Sequence, residues 1–132
     1  MGLVSGNRVI EECLSRGLVA GAFNTTNLET TMGIAQAIEK TGVPTFIQVA
    51  PTNVTLSGFE YIYDMVSRRI ADIDVPIALH LDHGRKLQNV EDALAAGFTS
   101  IMMDASGYPY EENLELSQRA RVLAPADYAL EV

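Results

Sequence analysis

The sequence predicts an α/β fold, a parallel (β/α)8 barrel to which these 132 residues contribute about the first five strands. Three observations carry that prediction. Short apolar runs alternate with longer stretches of helical spacing. The runs recur roughly every 20 to 30 residues, the length of a strand, a crossover helix and two loops. Within each run, one face stays apolar while the other turns polar toward its C-terminal end.

The expected strands cover 19–24, 45–50, 77–82, 100–104 and 128–132. Ser5 or Asn7 can cap a helix before the first strand, ending at Arg16 with Gly17 as its stop. Thr26-Asn27-Leu28-Glu29 has capping-box spacing and opens a second helix, with Leu28, Met32, Ala35 and Ile38 on one face. Gly42 ends that helix. Further helices are expected over 59–71, over 90–96 with Gly97 as the stop, and over 112–123. All of this forms one domain, 1–132, a partial barrel.

Hydrophobic residues make up 48% and charged residues 20%, a globular composition with enough apolar mass for a core. The formal charge of -8 repels nucleic acid and anionic lipid, so neither is expected as a partner. The Arg68-Arg69 pair is expected as a solvated helix end. Cys13, the one cysteine, has no internal partner and sits in an apolar helical stripe, so it reads as a buried, inert thiol. Neither a spanning segment nor a leader pattern is present, and the expected location is cytoplasmic.

Side chains alternate across a strand, so each run divides into two faces. In the third run Ile77, Leu79 and Leu81 oppose Ala78, His80 and Asp82. The polar set from all five runs is Asn24, Gln48, His80, Asp82, Asp104 and Glu131. Burying these without partners costs several kcal/mol or more for a carboxylate. A parallel barrel accounts for them, because its active site lies at the C-terminal strand ends. An open doubly wound sheet is the alternative, binding ligands at a switch point without polar positions on every strand.

The most informative stretch is His80-Leu81-Asp82-His83-Gly84. His80 and Asp82 face the interior at the mouth. His83 is expected just after the strand, with Gly84 permitting a bend that returns the imidazole over the site. A neutral imidazole is a common zinc ligand, and a carboxylate beside a metal suits general acid–base work. The plain alternative is a hydrogen-bonded histidine next to a surface turn.

Together with Ala22-Phe23-Asn24, Asn27-Leu28-Glu29, Gly97-Phe98-Thr99-Ser100-Ile101-Met102-Met103-Asp104 and Glu111-Glu112-Asn113, this stretch resembles the class II, zinc-dependent aldolase family, which includes fructose- and tagatose-bisphosphate aldolases. The resemblance runs from about Asn7 to Glu131. It implies that Asp82 is the catalytic acid/base and His83 the first ligand of a Zn2+ cofactor. It implies that Asn24 lines the substrate site, where Gln48 is also placed. His80, Asp104 and Glu131 would be supporting residues or an alternative metal site, with a structural role equally open for Asp104 and Glu131. The implied reaction is reversible cleavage of a phosphorylated ketose into dihydroxyacetone phosphate and an aldehyde, in a homo-oligomer. A Schiff-base mechanism is disfavoured, because Lys40 and Lys86 lie off the interior faces.

Two departures from the family pattern stand out: Gly107 follows Ser106, and Ala50 stands where a hydroxyl is common. A complete (β/α)8 barrel takes about 250 residues. The resemblance implies that the remaining zinc ligands and the phosphate site lie in the later strands, outside these residues. The competing expectation is a catalytically silent half-barrel that pairs with itself or a partner.

Overall fold

The computed structural model describes residues 2–132. Five strands, β1 (Gly21–Asn24), β2 (Thr45–Val49), β3 (Ile77–Gly84), β4 (Ser100–Met103) and β5 (Ala129–Glu131), form one parallel sheet in the order β1-β2-β3-β4-β5. The helices are α1 (Gly6–Ser15), α2 (Leu28–Thr41), α3 (Gly58–Ile70), α4 (Leu87–Ala96) and α5 (Tyr110–Leu123), with a short 3-10 turn at Pro51–Asn53. A doubly wound sheet reverses its strand order at a switch point. Among the described residues the order never reverses, as in the singly wound barrel arrangement and unlike the open-sheet alternative.

Each βα unit buries one strand face against its helices. Ile47, Val49, Leu79, Leu81, Ile101 and Met103 are fully buried there, against Ala35, Ile62, Val66, Val90 and Phe98. At about 25 cal/mol per Å² of apolar surface removed from water, this layer is the main stabilising term. The opposite face is concave. Ala22, Phe46, Gln48, His80, Ser100 and Glu131 line an open cavity of about 390 Å³, with Ile10 of α1 at its floor.

Helix α1 plugs the N-terminal end of the sheet. Its Gly6 leaves no room for a side chain: a Cβ would stand 2.7 Å from Ala129 Cβ and 2.8 Å from Ser100 Oγ. Ser5 caps the helix by accepting from the Arg8 amide, as spacing predicts.

Helix α2 differs from expectation in two ways. Its capping box pairs Asn27 with Thr30, and its buried stripe is Thr31, Ala35 and Ile38, while Leu28 and Met32 are exposed. The stripe is rotated because Thr31 finds polar partners underneath: its hydroxyl lies 2.6 Å from buried Thr25 Oγ1 and donates to Asn27 O at 2.9 Å. Arg69 is also not simply solvated, since it bridges α3 to α2 through Glu39 at 3.1 Å.

The largest local difference is at β3, which continues through Gly84. Its pairing with β4 slips between Leu81 and Gly84, a bulge that inserts extra backbone at the mouth. His83, not Gly84, takes the left-handed conformation, with φ 52. Gly84 is needed for a different reason: a Cβ there would meet Met102 O at 2.7 Å and Leu81 Cδ2 at 2.8 Å.

Candidate functional site

The strand ends hold two polar groups at different depths. The deeper one centres on His80. Its Nδ1 lies 2.8 Å from Ser100 Oγ, its Nε2 lies 3.6 Å from a Glu131 carboxylate oxygen, and the Phe46 ring meets it edge-on at 6.0 Å. Burial pushes the His80 proton affinity down to about 4, against the pull of the Asp82 charge, so the imidazole is neutral at pH 7. Strand parity puts Phe46 and Ser100 on the interior face, but only cross-strand register brings them to His80.

The outer group joins the ends of four strands. Asn24 Nδ2 donates to Asp82 Oδ2 at 3.1 Å, and Gln48 Nε2 donates to Asn24 Oδ1 at 3.0 Å. Asp82 Oδ1 faces the His83 ring, 3.9 Å from Nε2. On its other side, His83 Nδ1 is 2.8 Å from Asp104 Oδ2. That hydrogen bond is the main reason the His83 proton affinity is raised, with burial opposing it.

Asp104 is itself held. Ser106 Oγ donates to Asp104 Oδ1 at 2.6 Å, the Ser106 amide adds a 3.3 Å contact, and the Arg85 guanidinium stands 3.8 Å from Oδ2. The Ser106 hydroxyl, then His83, hold the Asp104 carboxyl down to about 2. Ser106 thus has a partner despite the glycine that follows it. The His83 kink explains this geometry: a left-handed residue costs roughly 1–2 kcal/mol for a non-glycine, and here it turns the ring from the strand onto Asp104.

The sequence-derived residues therefore divide. Asn24, Gln48, Asp82, His83 and Asp104 form one connected network. His80 and Glu131 form a second contact and make no hydrogen bond to that network. Lys40 and Lys86 are both exposed, away from the interior.

The outer group suits a divalent metal at one position. With Nδ1 engaged by a carboxylate, the other ring nitrogen of His83 lies beside Asp82 Oδ1 at 3.9 Å, and the side chain is 54% exposed. Carboxylate–histidine pairing of this kind orients metal-binding imidazoles and raises their basicity. Among the described residues, no group of three or more His, Cys, Asp or Glu could hold a metal by itself.

A model of the family described as fructose-bisphosphate aldolase class-II matches residues 4–132. The fructose-bisphosphate aldolase of Helicobacter pylori is 37% identical over 123 residues, covering 92% of this chain and 40% of that protein. The Geobacillus stearothermophilus fructose-bisphosphate aldolase is 38% identical over 122 residues, covering 90% and 42%. The crystal structure of the YdjI aldolase from Escherichia coli K12 superposes with a TM-score of 0.82 at 28% identity, over 91% of this chain and 46% of that one. The chain thus spans less than half the length of the relatives it matches.

Proposed function

The chain belongs to the class-II fructose-bisphosphate aldolase family, and from that premise we propose that it carries the N-terminal share of a metal-dependent aldolase centre. The observation behind this is the outer network: a carboxylate fixed by one amide, beside an imidazole fixed by another carboxylate.

In this reading His83 holds a zinc ion, with Asp104 orienting the ring, and the remaining ligands come from outside these residues. Zinc, when bound, supplies a Lewis acid toward the substrate ketone. Asp82 accepts the proton of the hydroxyl at the carbon–carbon bond being cleaved and returns it in the reverse direction. Asn24 holds Oδ2 of Asp82, which leaves Oδ1 for that hydroxyl. The substrate is a phosphorylated ketose, fructose or tagatose 1,6-bisphosphate, giving dihydroxyacetone phosphate and an aldehyde. The setting is glycolytic, cytoplasmic and homo-oligomeric.

The test is Asp82→Ala in the polypeptide that carries this sequence. Turnover should fall by at least ~10²-fold, the low end for general acid–base catalysis, with zinc content unchanged. Near-normal cleavage would remove Asp82 from its role.

A second reading keeps the family ancestry without the activity. There the 132 residues act as a catalytically silent half-barrel that self-associates. No cleavage and no response to EDTA, with an intact mass of 14.3 kDa, would favour it.

A further inference from the structure

The hydrogen bonds at the mouth run in one sense. Gln48 donates to Asn24, and Asn24 donates to Asp82. An ionised carboxylate only accepts, so Asp82 requires the NH2 end of the Asn24 amide. That turns Asn24 Oδ1 toward β2, where it needs a donor. Asn24 and Gln48 are register partners on β1 and β2, and Gln48 presents its own NH2 there.

We propose that Gln48 is a positioning residue that acts through Asn24, rather than a contact for the substrate. By donating to Asn24 Oδ1 it satisfies the amide oxygen that Asp82 leaves over and holds the side chain where its NH2 meets the carboxylate. It thereby fixes which carboxylate oxygen is engaged, and Oδ1 is left on the His83 side, 3.9 Å from Nε2. The Asn24 side chain is exposed, so without Gln48 the amide is free to turn away from the carboxylate toward solvent. The catalytic consequence rests on the role proposed above for Asp82; the hydrogen-bond relay does not.

The experiment compares Gln48→Glu with Gln48→Met by NMR of the polypeptide that carries this sequence. Both replacements are close to glutamine in size, but the first offers only acceptors and the second neither. In the wild type, the Asn24 side-chain NH2 protons should show cross-relaxation to the Asp82 β-protons. In Gln48→Glu the new carboxylate competes with Asp82 for the one Asn24 NH2 group, so that contact should weaken, one to the new side chain should appear, and the Asp82 carboxyl carbon resonance should move.

In Gln48→Met the Asn24 amide protons should exchange with water about three- to tenfold faster, the equivalent of one neutral hydrogen bond. A plain packing role predicts an unchanged Asn24–Asp82 contact in Gln48→Glu. Unchanged Asn24 contacts and exchange in both variants would overturn the relay. In the cleavage assay, Gln48→Glu should lower kcat with KM unchanged, whereas a raised KM with kcat intact would make Gln48 a substrate contact and also overturn it. The NMR readout involves neither metal nor turnover, so failure of the aldolase reading and failure of the relay are told apart.

Discussion

Acid should weaken this fold through His80. Burial holds its proton affinity at about 4, and the unfolded chain restores the ordinary value of 6.5. The folded value is the lower one, so between the two the unfolded state binds more protons. Stability from this group is complete above the unfolded value and is lost as pH falls toward the folded one. The gap, at ~1.36 kcal/mol per unit, sets a ceiling of about 3 kcal/mol, of which about 2.5 is lost by pH ~4.5. Glu131, 3.6 Å away, would favour the charged ring, but its side chain is 63% exposed and water weakens its field. Urea unfolding near pH ~7.5 and ~4.5, on wild type and His80→Asn, isolates the effect. Asparagine keeps a polar group near Ser100 but does not titrate, and the surface carboxylates contribute equally to both proteins. The wild type should lose about 2.5 kcal/mol more than the variant between the two conditions. Equal losses would refute the argument, as would a His80 imidazole that titrates near its ordinary value in the folded protein.

Two further perturbations bear on the mouth. Gly84→Ala places a Cβ 2.7 Å from the Met102 carbonyl oxygen, which cannot swing aside, so it should cost ~1–3 kcal/mol in thermal or urea unfolding; wild-type stability would mean that the bulge relaxes freely. Asp104→Asn removes the main support of the raised His83 proton affinity, so the His83 titration followed by NMR should move toward lower pH. If zinc is held by His83, the same change should weaken zinc binding by ~10–100-fold, as loss of an orienting carboxylate usually does; unchanged affinity would place the metal elsewhere.

How much of this could be read from the sequence depended on which physical rule governed each residue. Strand parity has a fixed period of two, so the interior set Asn24, Gln48, His80 and Asp82 was legible without coordinates. Parity gives a face but not a register. That His80 meets Ser100 and Glu131, while Asp82 meets Asn24, depends on how neighbouring strands are staggered. The His83–Asp104 pair was hidden for another reason: the β3 bulge shifts the alignment with β4, and no local spacing announces a bulge at a histidine with positive φ. In α2 the stop at Gly42 followed from local chemistry. The buried face did not, because Thr31 is tolerated inside only through hydroxyl partners that the helical period does not reveal.

The position of α1 has a consequence for the order in which the molecule assembles. Each strand pairs with the one before it, about 20 to 32 residues upstream, so loop-closure entropy is nearly the same at every step. A chain made from its N-terminus can add one βα unit at a time to an edge that already exists. Helix α1 is the exception. Its start bonds to Thr99, about 90 residues downstream, and packs on Ala129 at the far edge. Helix α1, made before all five of these strands, therefore finds its full seat only after β4 and β5 have formed.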